Sequence, residues 1–249
     1  MKIGVVKHLN ARPLTYGFET DKKHEILYEN PSVLKDLLLE KKLDIALISS
    51  IECIRNSDVL AFSNVVGVCA KDKVRSILFF KNKTESYPPD KVFVDSGSRS
   101  SVALLKVILK METGKDVETI ATNPNEIVNK ISQNQGSHLL FGDNALHATW
   151  DKNKIEAIDL ATWWNRISHL SFCFAFWAFS KNQVFADDLF LKSLEYGLEH
   201  IDEIINNHDS LQNSLVRKYL TQELHYKVSR QDLDGFYLFQ EKCKTYGYL

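Results

Sequence analysis

Ile3-Gly4-Val5-Val6-Lys7-His8-Leu9-Asn10-Ala11-Arg12-Pro13-Leu14 joins a short apolar run to a polar turn and a proline. Ile3 to Val6 has the composition of a buried parallel strand. Pro13 cannot donate to a sheet ladder and presets φ for a helix start, so Asn10, Ala11 and Arg12 fall on the connecting turn. A polar turn at the carboxyl end of a buried strand is where open α/β sheets hold ligands. A competing reading makes Asn10 a simple helix cap.

Outward from this loop the pattern repeats. Leu14 to Phe18 reads as a short helix and Ile26 to Tyr28 as a second strand. Asn30-Pro31 opens a helix carrying Leu34, Leu37 and Leu38, and Leu43 to Ile48 is a third strand ending at Ser49-Ser50. Strand, helix, strand, helix, strand predicts a doubly wound sheet. Val65 to Val68 and Ser76 to Phe80 are further strands. The polar stretch 82–90, with Pro88-Pro89, reads as a linker.

A second α/β pattern follows it. Val92 to Val94 is a strand, 95–101 a turn, Val102 to Met111 a helix and Thr119 to Ala121 a strand. Asn123-Pro124-Asn125-Glu126 starts a helix, and Leu139 to Phe141 is a strand ending at Gly142-Asp143. The run Phe172 to Phe179 predicts a central strand buried on both faces. Beyond Ala186 the chain turns helical, with Phe190, Leu194, Leu198, Ile201 and Ile205 on one stripe. A second helix is expected behind Asp209 as cap, and a third behind Ser229. The expected fold class is α/β, a two-lobed periplasmic-binding-protein-like (type II) arrangement with a cleft between lobes. Residues 1–85 and 183–249 would form one lobe and 90–180 the other, the return link lying near Ser180 to Asn182.

Composition narrows the function. Of 249 residues, 44% are hydrophobic and 25% charged, with net charge -1, which fits a soluble globular chain with no nucleic-acid-binding bias. No apolar run is long enough for a signal peptide or a membrane span, so a cytoplasmic protein without membrane partners is expected. Cys53, Cys69, Cys173 and Cys243 are dispersed and are expected to be thiols in a reducing compartment. Glycine-rich phosphate loops and His-Glu-x-x-His are absent from the sequence, so no cofactor and no metal is expected.

Polar turns at predicted strand ends supply the candidate site: Asn10 and Arg12, Ser49 and Ser50, Ser98 to Ser101, and Asp143, with Ser76 beside a fifth strand end. Ser98, Ser100 and Ser101 precede a helix whose free N–H groups favour an anion. Arg12 and Arg99 offer bidentate contacts to carboxylates. Any one of these Ser or Asp residues alone reads equally as a helix cap.

The stretch Leu9 to Leu14 resembles the Leu-Asn-Ala-Arg-Pro-Leu signature of the chorismate dehydratases of menaquinone biosynthesis. Leu43 to Glu52, Val74 to Ile77, Ser98 to Leu105 and Gly142 to Leu146 resemble further segments of that family in the same order. His8 departs from it, standing where an aromatic residue is usual, and so does Asn144, where a small one is. The resemblance implies loss of water from chorismate to give 3-(1-carboxyvinyloxy)benzoate, without a cofactor. Asn10 would then position the reacting carbons, since an amide is a poor base near neutral pH. The substrate's own side-chain carboxylate is a candidate proton acceptor, and Ser76 a candidate partner of the leaving group. The rival readings are a small-anion binding protein that does no chemistry and another lyase on the same scaffold, of the prephenate dehydratase or dihydroxynaphthoate synthase type.

Overall fold

The computed structural model describes residues 1–208 and 211–249. In chain order its elements begin β1 (Lys2–Val5), α1 (Arg12–Thr20), β2 (Glu25–Tyr28), α2 (Pro31–Leu39), β3 (Ile45–Ser49), α3 (Ser50–Arg55) and β4 (Leu60–Ala70). There follow β5 (Ile77–Asn82), β6 (Lys91–Asp95), α4 (Ser100–Thr113), β7 (Glu118–Thr122), α5 (Pro124–Ser132), β8 (His138–Phe141), α6 (Asp143–His147), β9 (Ile155–Asp159) and α7 (Leu160–Ser168). The chain ends with β10 (Phe172–Ser180), α8 (Asp187–Glu199), α9 (Ile201–Asn206), α10 (Asn213–Lys218), β11 (His225–Lys227) and α11 (Arg230–Thr245).

Two mixed sheets result, one per lobe. The first runs β11-β4-β10-β3-β1-β2, with β1 parallel to β2 and β3 and with β10 antiparallel to β3 and β4. The second runs β7-β6-β8-β5-β9, with β6 parallel to β7 and β8 and with β5 antiparallel to β8 and β9. The expected two-lobed α/β architecture is present. Its crossovers lie elsewhere than composition suggested.

Ile77–Asn82 pairs only within the second sheet, so the chain leaves the first lobe at 71–76, ahead of the proline-bearing stretch. That stretch is a loop of lobe two: the Ser137 hydroxyl donates to Glu85 at 2.6 Å, and the Tyr87 hydroxyl to Glu112 at 2.7 Å. The true crossover is pinned by Asp159, whose Oδ2 accepts from the N–H groups of Val74 at 2.9 Å and Arg75 at 2.7 Å. Arg75 takes a positive φ of 55° there.

The return link is also displaced. Phe172–Ser180 is the central strand of the first sheet, wedged between β3 and β4, so the chain re-enters lobe one at 169–171. A strand as apolar as Phe172 to Phe179 needs cover on both faces. In lobe one it finds that cover, where Phe176 packs on Phe62 and Phe236, and Trp177 on Phe18 and Phe190.

The four-thiol expectation is also corrected. Cys69 and Cys173 face each other across the β4–β10 ladder with Cα atoms 4.2 Å apart and form a disulfide, while Cys53 and Cys243 are free and buried. Direct cross-strand register brings together two side chains that are 104 residues apart in sequence. Of the predicted caps, Asn123 and Ser229 act as expected, the latter in a reciprocal capping box with Asp232. Asp209 lies outside the described residues. β9 and α7 come from a stretch with no strong sequence signal.

The C-terminal helices brace the first loop. α8 crosses α1 in backbone contact: a Cβ added at Gly197 would sit 2.1 Å from the Pro13 carbonyl oxygen, and one at Gly17 2.7 Å from Ser193 Cα. The Ser193 hydroxyl donates to the Leu14 carbonyl at 2.8 Å. Only glycines permit this approach, and it fixes the helix that carries Asn10 at its entrance.

Candidate active site

Between the lobes lies a partly open cavity of about 80 Å³. Lobe one contributes Val6, His8, Asn10, Ser49 and Phe174, and lobe two contributes Ile77, Ser98 to Ser101 and Phe141. Ligand pockets for small molecules run to roughly 300–1,000 Å³. A ligand of that size is therefore admitted only when the lobes part.

β1 leads the chain straight into this wall. His8 is extended, with φ -76° and ψ 139°, so Val6 and His8 fall on the same side at alternate positions, and both line the cavity together with Asn10 on the turn that follows. The one-turn 3-10 helix Leu9–Ala11 buries Leu9 and Ala11 beneath them and leaves Asn10 half-buried.

The opposite wall is the start of α4. No side chain caps that helix, so its first N–H groups and its dipole meet the cavity uncovered. The Arg99 side chain, which is exposed, forms no hydrogen bond or ion pair among the described residues. It is available for a carboxylate.

Ser49 holds the N-cap position of α3, yet its hydroxyl caps nothing, and its Oγ is buried without a hydrogen-bond partner among the described residues. The acceptor for α3 comes from the other lobe. The Ile51 N–H donates to Ser100 Oγ at 3.0 Å, and the Ser50 and Ser100 hydroxyls share a bond of 3.0 Å. The Ser49 hydroxyl is thereby released to the cavity, where it lacks a partner. A buried, unsatisfied hydroxyl is costly, and at the cavity wall it has a hydrogen bond to offer a ligand.

The cavity thus gathers Asn10, Ser49, Ser98, Arg99, Ser100 and Ser101 from the sequence-derived set. Four others lie off its wall. Arg12 is turned along α1, where its guanidinium pairs with Glu19 and covers the Tyr16 ring at 5.5 Å. Ser50 is fully buried in the bond to Ser100. Ser76 sits at the crossover, its Oγ accepting from the Tyr219 hydroxyl at 2.7 Å. Asp143 is exposed at the start of α6, beside His8. A turn residue's side chain can point into either lobe or along its own helix, and sequence position alone does not choose.

His8, Phe141 and Phe174 are wall residues absent from that set. The His8 ring meets Phe141 edge-on at 5.3 Å, bridging the lobes. Its period-two spacing from Val6 was the available signal. Burial lowers the His8 pKa, and the nearby Asp143 carboxylate partly offsets this.

A wider groove of about 570 Å³ lies beside the crossover, lined mostly by lobe two with Leu215 from lobe one, and reaches Trp150, Trp163 and Arg166. Its polar groups are largely spent within the protein: Arg166 pairs with Glu112, Arg75 with Glu223, and Asp159 accepts four backbone N–H groups. The unspent hydroxyl and guanidinium are at the interlobe cavity.

Residues 1–245 match the family described as menaquinone biosynthesis. The chain belongs to the menaquinone biosynthesis family. It is 24% identical to the chorismate dehydratase of Campylobacter jejuni, with 98% of each chain covered. It is 28% identical to the chorismate dehydratase of Thermus thermophilus over 72% of this chain and 69% of the relative. Among solved structures, a structural-genomics protein of Archaeoglobus fulgidus superposes with TM-score 0.78 at 14% identity, covering 100% of this chain and 98% of that one. The alkanesulfonate-binding protein SsuA of Xanthomonas axonopodis, bound to MOPS, gives 0.65 at 14% identity, covering 100% and 92%. A Candida albicans protein described as having the generic periplasmic binding protein fold gives 0.59 at 13% identity, covering 100% and 90%. This family member therefore has a periplasmic-binding-protein-like fold. No helix among the described residues is long and apolar enough to cross a membrane.

Proposed function

We propose that the protein is a chorismate dehydratase, converting chorismate to 3-(1-carboxyvinyloxy)benzoate and water in menaquinone biosynthesis. Family membership and the names of the two curated relatives support this reading. The carrying observation is the interlobe cavity, which places Asn10 opposite an uncapped helix start and the unpaired Arg99.

Chorismate carries two carboxylates, a hydroxyl and an enolpyruvyl ether on a diene ring. Arg99 and the first N–H groups of α4 bind one carboxylate, with Ser101 beside them. The Ser49 hydroxyl takes a second polar contact from the lobe-one side. Asn10 holds the reacting carbons through hydrogen bonds to their oxygen substituents that strengthen as charge develops, while Phe141 and Phe174 exclude water from the diene ring. Closure of the lobes brings these groups to one substrate, and aromatisation of the ring supplies the driving force.

Incubating the purified protein with chorismate and following the product by mass tests the proposal. Loss of one water with disappearance of the diene absorbance is expected. Chorismate recovered intact, with binding seen by calorimetry, would assign the protein to the non-catalytic anion binders instead.

A further inference from the structure

Three strands and one helix of lobe one bring two sulfurs, an imidazole and a carboxylate together. β4 lies between β11 and β10, and its Cys69 stands directly opposite His225 on one side and Cys173 on the other. Directly paired residues of neighbouring strands project from one face of a sheet, so the three side chains form a row. Asp232 joins them from the first turn of α11, held by its capping box: Oδ2 accepts from the Ser229 N–H at 2.7 Å and from the Ser229 hydroxyl at 2.6 Å. Oδ1 is left to face His225 Nε2 at 2.9 Å. The ligand atoms of Cys69, His225 and Asp232 all lie within 4.8 Å of one another.

The set has the chemistry of a closed metal site. Thiolate, imidazole and carboxylate are the ligands of zinc, which takes four of them tetrahedrally at about 2.0–2.3 Å, and hence about 3.3–3.8 Å from one another. Movements of about 1 Å suffice to close the set on such an ion. The Cys173 sulfur, bonded to that of Cys69, reaches the fourth position once that bond opens. Cys69, Cys173 and Asp232 are buried, whereas His225 is partly exposed on the edge strand β11, which gives an ion a way in. While the disulfide is closed neither sulfur is a thiolate, and the set lacks its soft ligands. Sequence spacing predicts no metal here because the ligands come from four separate elements rather than from one turn.

We propose that Cys69, Cys173, His225 and Asp232 form a zinc site that opens when the Cys69–Cys173 disulfide is reduced. A dithiol reductant supplies two electrons and two protons and becomes a disulfide itself, while the Cys69–Cys173 bond breaks to two thiols. Zinc displaces both thiol protons to solvent. The imidazole, as the Nδ1–H tautomer, offers Nε2, and the ion takes the place of the hydrogen between Nε2 and Asp232 Oδ1. In the reverse direction hydrogen peroxide takes two electrons from the thiolates and two protons from solvent, leaving two waters, the disulfide and the released ion. The inference concerns the first sheet and is independent of the reaction assigned to the interlobe cavity.

The test uses the full chain, reduced with a phosphine under argon and then divided, one part being reoxidised with hydrogen peroxide. Thiol titration after unfolding should count four thiols in the reduced part and two in the reoxidised one. After incubation with zinc alone and gel filtration, atomic emission should find about one zinc per reduced chain and less than about 0.1 per oxidised chain. The ion should raise the melting temperature of the reduced protein only. Cobalt in place of zinc should show thiolate charge-transfer absorbance in the near ultraviolet. His225→Ala should weaken zinc binding at least about 100-fold, beyond the loss that outer-shell changes cause. Cys243→Ala, a free cysteine of α11 outside the set, should bind like the parent.

Reduced parent that retains no zinc overturns the proposal, as does oxidised protein that binds as much, or a His225→Ala variant with parent affinity. Four thiols persisting after peroxide overturn the redox control. Should His225→Ala misfold, the parent decides: cobalt bound without a thiolate band places the ion on other groups and rejects the site. None of these results bears on chorismate turnover, which is measured separately.

Discussion

The hydroxyl oxygens of Ser50, in lobe one, and Ser100, in lobe two, lie 3.0 Å apart, and Ser100 also caps the Ile51 N–H. One residue thus joins the lobes and completes a helix start that belongs to its neighbour lobe. Ser100 serves the protein's own structure first, although its position on a strand-end turn marks it equally as a ligand residue.

Ser100→Ala should consequently cost stability. It strips a buried N–H of its acceptor, a loss of about 1–3 kcal/mol. Ser101→Ala breaks no bond of this kind and should leave the denaturant midpoint within experimental error while weakening product binding. Equal midpoints for the two variants in urea would show that the cross-lobe cap is worth nothing.

Ser49→Ala tests the released hydroxyl. Removing a buried, unpartnered oxygen should leave stability unchanged or slightly raised, while affinity for the product falls about tenfold through one lost hydrogen bond. Scanning calorimetry beside titration calorimetry separates the two. A destabilised variant with parent affinity would place the hydroxyl in the fold rather than in the site.

Asn10→Ala is expected to lower the single-turnover rate far more than it raises the product dissociation constant, because the amide acts where bonds change. Parent turnover with only weakened binding would make Asn10 a binding residue.

The brace between α1 and α8 can be challenged at a distance from the cavity. A methyl group at Gly197 would overlap the Pro13 carbonyl, so Gly197→Ala should cost about 1–3 kcal/mol or more. It should also reduce kcat, since the shifted helix begins two residues after Asn10. Loss of stability with full activity would show that the loop holds its shape without α8.

His138 is fully buried in the second sheet, stacked on Phe93, and burial lowers its pKa. Below pH 6.5 the unfolded chain binds a proton that the native site resists, so stability falls as pH falls, by at most about 1.4 kcal/mol per pH unit for this one group. Urea unfolding between pH 7.5 and 5 should show this slope, reduced in His138→Phe. A variant with the parent slope would assign the effect to other groups, His8 among them.

Much of the framework was legible in the sequence because it is local. The apolar run before Pro13, the Asn123 and Ser229 caps and the paired strand-turn-helix halves each depend on neighbours a few residues away. The lobe boundary was not local. The proline-bearing stretch 82–90 has linker composition, but whether a segment links lobes depends on where the strands before it pair, and β5 pairs with β8 and β9. The aromatic strand β10 announced burial on two faces and not which sheet would supply them.

The same division runs through the site. Sequence alone determined that Asn10, Ser49 and Ser98 to Ser101 stand at strand ends and helix starts, because backbone chemistry fixes those positions within a turn. Only the tertiary structure decided which of them face one another. It turned Arg12 to Glu19 and Ser76 to Tyr219, spent Ser100 on α3, left Ser49 without a partner and brought His8 against Phe141. Side-chain direction depends on what packs opposite, and here the opposite wall comes from the other lobe, with Asn10 and Ser101 separated by ninety-one positions of chain.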